Sequence, residues 1–385
     1  MNKVRVAIFS DSYSPQINGV VTQIKNISGE FLSRGHEVMI VGPSPDMKFS
    51  EKKSGKLMEV LLPSIAFPTY KDYRITHFIS PRVFRELKKF RPDVVHVHTP
   101  FGVGWLGVNC AKRLRAPLVG TYHTLLPEFM AYLPIPFLKD TTLAKTLAWK
   151  YTNFFYNSCA IVTTPTSQMK EELSRNGVTK EIIALPNAID FAKFNKHAKK
   201  KYEAKKPRLI YFGRVSYEKN IEVLLHALKS VIREGKNVSL TITGSGPATD
   251  YLKAIAEGEN ISAHVTFQGA LGGDELSKHV ASHDIFVTAS TIETQGLTVL
   301  EAMAAGLPCI GADYLGIKDS IKEGVNGYLF KPYDFHALAL KIKKLTTSSA
   351  LRKKMGKNAV ATAKKYSVQK IADETEALYQ MIMKK

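Results

Sequence analysis

Cysteine is scarce: Cys110, Cys159 and Cys309 are scattered over 385 residues, with no C-x-x-C and no metal-ligand spacing. That excludes a disulfide scaffold and a thiolate metal centre, and it fits a reducing, cytoplasmic setting. No run of about 18 apolar residues occurs, so nothing in the sequence spans a bilayer and any membrane contact is peripheral. The opening stretch MNKVRVAIFSDS carries an apolar run too short for a signal peptide and reads as the first strand of the fold. The βαβ start that follows lacks G-x-G-x-x-G, which argues against a nicotinamide enzyme. D-x-D, low-complexity tracts and short repeats are absent too. Acidic residues are also in deficit: 34 Asp and Glu stand against 54 Lys and Arg, a net charge of +20. Such a balance suggests an anionic partner, whether nucleic acid, an acidic membrane surface or phosphorylated ligands.

What is present is ordinary globular material, 44% hydrophobic and 23% charged, in a chain long enough for two domains. Short apolar runs alternate with helical periodicity from Val4 to Phe9 onward, so both halves read as βα units around mostly parallel sheets, an α/β fold. The composition shifts most sharply at KFNKHAKKKYEAKKP, residues 193–207, which reads as an interdomain linker. That places one domain at 1–192 and another at 207–366. An amphipathic last helix, Val368 to Met383, follows through Ile371, Thr375, Leu378 and Ile382. The stretch Lys48 to Lys56 reads as a polar loop and Phe67 to Thr76 as irregular. The helix Pro81 to Phe90 sets Val83, Phe84, Leu87 and Phe90 against Arg82, Arg85, Lys88 and Lys89. It is either a solvated face or a membrane-surface face. Glu128 to Tyr156 is apolar and basic, either core or a lid that meets lipid.

The stretch TASTIETQGLTVLEAMAAG, residues 288–306, carries the most chemistry. A buried strand, a polar loop and a small-residue helix follow one another, so the N–H groups of Gly296, Leu297 and Thr298 point at the loop, where phosphate is favoured. Glu293 and Glu301 frame that start. Eight residues span about 12 Å as helix, whereas paired-carboxylate glycosidase chemistry needs roughly 5 to 9.5 Å. Two ends of one long anionic ligand, such as a nucleotide sugar, fit the spacing better. The plainer alternative, a loop charge and a solvated helix charge, stays open on this pair alone. Arg214 and Lys219 follow a strand end and can hold a diphosphate as a fork and a point charge. His123 ends another strand, where open α/β sheets gather ligands. Gly19 sits at a loop-to-helix junction, a phosphate approach or a plain turn. His98, also at a strand end, reads as structural.

Four segments together resemble glycosyltransferase family 4: Asn18-Gly19-Val20-Val21, Tyr122-His123-Thr124, Gly213-Arg214 with Glu218-Lys219-Asn220, and Glu293-Thr-Gln-Gly296 through Glu301-Ala-Met-Ala-Ala-Gly306. Within it the segments SYSPQINGVVTQI, GTYHTLLPEFMAYL and ETQGL look most like bacterial diacylglycerol glucosyltransferases. Mannosyltransferase relatives more often show E-x-F-G at the last position. The resemblance implies a GT-B fold, two Rossmann-like domains with parallel sheets facing across a cleft. The first would bind the acceptor, with a C-terminal helix at about 367–385 packing back on it, and the second the nucleotide sugar. It implies a retaining hexosyltransferase, with His123, Glu293, Arg214 and Lys219 as catalytic residues. Glu301 would bind the ribose hydroxyls. Arg214 and Lys219 would hold the diphosphate, aided by Gly19 and by Gly296, Leu297 and Thr298. Glu293 would lie beside the transferred sugar and His123 would hydrogen-bond its hydroxyl.

The same resemblance implies UDP-glucose as donor, no metal or cofactor, and a lipid acceptor such as diacylglycerol. It places the protein peripherally on the cytoplasmic face of an anionic membrane. Other readings keep the fold with phosphatidylinositol or a soluble sugar or inositol phosphate as acceptor, use GDP-mannose, or make the chain a sugar-nucleotide epimerase. A nucleic-acid binder is disfavoured, because the basic residues are spread over both halves and no recognition motif appears.

Overall fold

A computed structural model describes residues 3–16, 18–67, 70–123, 125–129, 141–198 and 202–384. The chain forms two compact units: Met1–Ala188 with Val368–Lys385, and Ile189–Ser367.

In the first unit the strands are β1 (Arg5–Phe9), β2 (Glu37–Pro43), β3 (Ser50–Ser54), β4 (Leu57–Leu62), β5 (Ser64–Phe67), β6 (Tyr70–Thr76), β7 (Val94–Val97), β8 (Leu118–Thr121), β9 (Ile161–Thr164) and β10 (Glu181–Ala184). Eight of them form one sheet, ordered β10-β9-β8-β7-β1-β2-β4-β3, and β5 pairs with β6. All pairs in the large sheet are parallel except β3 with β4. Parallel strands covered on both faces read as unbroken apolar runs, which is why VAIF, VVHV and IVTT are legible. β3, sequence SEKKS, is the exception: every residue is exposed. It is an edge strand blunted by lysine, so it lacks apolar alternation and had looked like a loop. β5 and β6 likewise form a hairpin where the sequence looked irregular.

The helix Pro81–Phe90 buries Val83 and Leu87 and leaves Arg82, Arg85, Lys88 and Lys89 exposed. Its apolar side is therefore core, and its outward side is an exposed basic face. Of the apolar-basic stretch, residues 128–129 and 141–156 are described, the latter containing the helix Thr142–Tyr156; 130–140 lie outside the described residues. The C-terminal helix Val368–Met383 packs Ile371, Ala372, Leu378, Tyr379 and Ile382 with Ile24, Ile27 and Phe31 of the helix Gly19–Ser33.

The second unit has β11 (Arg208–Phe212), β12 (Ser239–Thr243), β13 (Val265–Gly269), β14 (Ile285–Thr288), β15 (Cys309–Ala312) and β16 (Gly327–Phe330), all parallel, in the order β13-β12-β11-β14-β15-β16. The described residues of the basic stretch after residue 190 pack on this unit where a linker was expected. Phe191–Asn195 is a helix, and Phe194, 2% exposed, joins the core with Val299, Leu300 and Ala304. Burying such a side chain contributes about 2 to 3 kcal/mol. Further on, the buried Arg352 donates to the carbonyls of Tyr202 (2.7 Å) and Ala204 (3.0 Å) as well as Leu345 and Thr346. The segment from Tyr202 to Ala204 is thus held on the unit, because its carbonyls accept from a buried cation.

Candidate functional site

Both sheets reverse direction of growth at one point. In the second unit that point lies between β11 and β14, and in the first between β1 and β7. Loops leaving neighbouring strands there diverge, and the crevice outside their carboxyl ends is where open α/β sheets bind ligands.

In the second unit β11 is followed by Gly213, whose φ of 140° favours glycine. The next loop is packed closely: a Cβ on Gly244 would overlap the Gly213 carbonyl, and one on Gly246 the Val215 carbonyl. The G-x-G-P after β12 thus serves close backbone approach. Arg214 follows, its carbonyl accepting from the Tyr211 hydroxyl at 2.8 Å and its guanidinium paired with Glu218 at 2.5 Å. Ser216 also donates to Glu218, at 2.7 Å. Lys219 lies on the same turn, with Nζ 2.6 Å from Glu293 Oε1 and its side chain 14% exposed. Asn220, at φ 51°, donates at 3.2 Å to the Ala289 carbonyl and to Thr291 Oγ1, tying the loop after β11 to the loop after β14.

Glu293 sits on that second loop. Its carbonyl accepts from Gly316 N at 2.9 Å, and its carboxylate from Ser290 Oγ at 3.0 Å. A Cβ on Gly316 would overlap the backbone of Thr294 and Gln295, so the loop shape depends on that glycine. Burial works to raise the Glu293 pKa. The charge of Lys219, its hydrogen bond, that of Ser290 and the charge of Arg214 outweigh it, and the carboxyl is held below its ordinary range. Gly296, at φ 78°, then caps the helix Leu297–Ala304, so Leu297 and Thr298 present N–H groups with no intrahelical acceptor. Thr298 Cγ2 lies 3.7 Å from where a Gly213 Cβ would be, so the helix start and the end of β11 adjoin.

Glu301 stands one turn into this helix. Burial pushes its carboxyl up to about 7; Lys193 pulls the other way and Asp190 adds to the rise. Lys193 comes from the stretch read as linker, and nothing in its local sequence marks it. Arg214, Lys219, Glu293 and Gly296 to Thr298 therefore gather at one switch point, while Glu301 is the residue of that group set against the helix Phe191–Asn195. Glu218 and Ser290 complete the cluster. Glu218 was legible only as part of the Glu218-Lys219-Asn220 segment, whereas Ser290 carried no signal.

In the first unit Gly19 opens a helix capped by Asn18, whose Oδ1 accepts from Val21 N at 3.0 Å and whose Nδ2 donates to Ser12 at 2.7 Å. Gly19 is exposed. Asp11, after β1, accepts from Thr99 Oγ1 (2.6 Å) and from the N–H groups of Val103 (2.7 Å) and Gly104 (3.3 Å). Burial raises its pKa to about 6 against the pull of these hydrogen bonds. His123 is buried at the end of β8, and desolvation pushes its imidazole down to about 3, so it is neutral. Among the described residues, no three His, Cys, Asp or Glu side chains converge as a metal site, and no helix is long and apolar enough to cross a membrane.

Two Rossmann-like units, with cations and a helix start at one switch point, define the GT-B glycosyltransferase class. Sucrose-phosphate synthase from Thermosynechococcus elongatus shares the fold, with a TM-score of 0.78 at 18% identity over 99% of both chains. The chain belongs to glycosyltransferase family 4: a model described as Glycosyltransferase Family 4 matches residues 17–193, and one described as Glycosyl transferases group 1 matches 192–362. It is 30% identical to the alpha-monoglucosyldiacylglycerol synthases of Streptococcus pneumoniae (87% of this chain, 77% of the relative) and of Acholeplasma laidlawii (98% and 96%). It is 28% identical to a GDP-mannose-dependent alpha-mannosyltransferase of Corynebacterium glutamicum over 86% of this chain and 78% of the relative.

Proposed function

We propose that this glycosyltransferase moves glucose from UDP-glucose to a membrane lipid, 1,2-diacylglycerol or a close relative, with retention at the anomeric carbon. The observation that carries the donor half is the pairing of Lys219 with Glu293 beside Arg214 and the helix start at Leu297. In this reading Arg214 and Lys219 stabilise the departing diphosphate, and the N–H groups of Leu297 and Thr298 add fixed dipoles. Glu301 takes the ribose hydroxyls, Glu293 lies beside the transferred sugar, and Gly19 and His123 serve the donor from the first unit. The acceptor hydroxyl attacks from the face the diphosphate leaves, and a leaving phosphate oxygen takes its proton. No metal is needed, since the cations meet the developing charge.

The lipid acceptor is supported by the names of the two relatives and by the surface. On the helix Thr142–Tyr156, Leu143, Leu147 and Phe154 are all about half or more exposed (60%, 49% and 67%), with Lys150 exposed and Lys145 partly so. Such an apolar and basic face suits attachment to an anionic bilayer on the cytoplasmic side. The mannosyltransferase relative favours a second reading, a GDP-mannose donor with phosphatidylinositol or a soluble acceptor. The test is to incubate the protein with labelled UDP-glucose or GDP-mannose and vesicles containing diacylglycerol, with and without anionic lipid. Label from UDP-glucose entering the organic phase is the expected result. Label only from GDP-mannose, or only in water-soluble product, refutes it.

A further inference from the structure

The helices Gly102–Leu114 and Thr142–Tyr156 contain no acidic residue. Between them runs an open groove of about 500 Å³ lined by Phe78, Phe101, Trp105, Asn109, Tyr151 and Phe154. The Trp105 ring sits 5.1 Å from that of Phe154, and the Phe101 ring 6.4 Å from that of Tyr151. Phe78 and Phe154 are 59% and 67% exposed, so a contiguous apolar surface faces outward.

The polar atoms of the walls are turned toward each other. Trp105 Nε1 donates to the Tyr151 hydroxyl at 3.0 Å, and that hydroxyl donates to the Pro100 carbonyl. An indole and a phenol have one donor each, so both rings present carbon to the groove and Asn109 is the polar side chain on its lining. A peptide laid there would leave most of its N–H and carbonyl groups unpaired, whereas a hydrocarbon chain needs no hydrogen bond. The rim is cationic. Asn109 is followed three residues on by Lys112, and Phe154 is preceded four residues back by Lys150, so an exposed lysine continues the groove-lining face of each helix. The exposed Arg113 sets its guanidinium 5.7 Å from the Phe84 ring, which joins the basic helix Pro81–Phe90 to the same layer. An apolar trough edged by cations and free of acids is complementary to a lipid chain lying beneath anionic headgroups.

The groove also has a direction. Phe101 and Gly102 lie on the loop that leaves β7, and the N–H groups of the next two residues, Val103 and Gly104, hold Asp11, which follows β1, at 2.7 and 3.3 Å. One end is therefore tied to the switch point between β1 and β7, where open α/β sheets bind ligands. The other runs along the helix toward Lys112.

We propose that this groove binds one acyl chain of the acceptor lipid, the chain lying along Trp105 and Phe154 and the glycerol end meeting the switch point. The proposal rests on the reading that the acceptor is a diacylglycerol in a membrane, and it adds how that lipid is held. Bringing its hydroxyl to a site in the protein draws the top of the lipid out of the bilayer, and each methylene then left in water costs about fourfold in the equilibrium. The groove covers those methylenes while the hydroxyl is presented.

The chain has two tryptophans, Trp105 and Trp149, so quenching of Trp105 fluorescence reports occupancy. The probe is a short-chain 1,2-diacylglycerol brominated near its chain ends, kept monomeric and without vesicles. Saturable quenching is expected in the wild type, and its loss in Trp105→Phe. Asn109→Phe sets a ring into the groove from an exposed helix position; displacing about two or three methylenes at about fourfold each weakens binding about 10- to 100-fold. The same variant should raise KM for diacylglycerol in vesicles by a similar factor, with co-sedimentation on anionic vesicles and donor KM as in the wild type. Absence of quenching in the wild type, as when the chain itself or a second copy fills the groove, overturns the proposal. So does quenching that Trp105→Phe or Asn109→Phe leaves unchanged. Co-sedimentation that falls with Asn109→Phe overturns it too, since the groove then anchors bulk lipid rather than the acceptor. Quenching needs neither donor nor turnover: label entering lipid without quenching removes the groove alone, and quenching without label entering lipid removes the diacylglycerol reading while leaving a lipid-chain site. The wild-type titration decides should a variant not fold.

Discussion

Replacing Lys219 by Ala tests the donor cluster most directly. The ammonium lies 2.6 Å from Glu293 and is mostly shielded from solvent, so a diphosphate taking its place beside the lysine would feel little screening. A unit charge pair at 4 Å contributes about 4 kcal/mol at an effective dielectric of 20, or roughly a thousandfold in rate. We expect kcat/KM for UDP-glucose to fall by about two to three decades, with Lys219→Arg recovering part. Stability changes too, in a pH-dependent way. In the wild type the Glu293 pKa is depressed, so its contribution is present above the unfolded carboxylate pKa and is lost on acidification. Without Lys219 burial prevails, the pKa rises, and the variant loses stability as pH climbs through about 4.5. The deficit in urea melts should therefore be small near about pH 4 and reach about 1 to 3 kcal/mol near neutrality. Adding Glu293→Gln should restore stability without restoring turnover. Unchanged kcat/KM in Lys219→Ala refutes the diphosphate assignment, and a deficit that grows toward low pH refutes the electrostatic account of Glu293.

In the proposed role Glu301 would accept ribose hydroxyls best when ionised, so donor KM should drop as pH rises through about 7. Glu301→Gln should flatten that dependence and weaken donor binding by about 10- to 100-fold, the scale of charged hydrogen bonds, as read by calorimetry with UDP. In the first unit His96 and His123 bind protons when unfolded but not when folded until about 3, so stability should fall as pH drops below about 6.5. Each costs about 2 kcal/mol at about pH 5, of which Asp11, raised to about 6, returns about 1; a flat urea midpoint from about pH 7 to about pH 5 would contradict this. Gly316→Ala should displace the Glu293 loop, costing about 1 to 3 kcal/mol and lowering kcat/KM; thermal melts and steady-state rates read both, and wild-type values would exclude the overlap.

Much of this was legible in the sequence because parallel strands and strand-end motifs are local. The apolar runs of β1, β7, β9 and β14, the glycine before Leu297, and the order Arg214, Lys219, Glu293 and Glu301 carry their meaning within a few residues. What escaped depended on distant partners. β3 is polar because it is an edge, so no alternation announces it. The lysine-rich segment after residue 190 looks like a tether until Arg352, about 150 residues later, is seen holding its carbonyls. The helix Pro81–Phe90 has the composition of a membrane face, and only the core around Val83 and Leu87 shows which side is outward.

The return of the helix Val368–Met383 to the first unit bears on how the chain is made. Ile371, Ala372, Leu378, Tyr379 and Ile382 fill the same core as Val4, Val6 and Ile24, so the strands of the first unit wait for a segment made after the whole second unit before their interior closes. The later unit, complete in sequence by Ser367, is free to fold first. Released chains truncated after Ser367 should therefore show a protease-resistant second unit beside a first unit that is still readily cut.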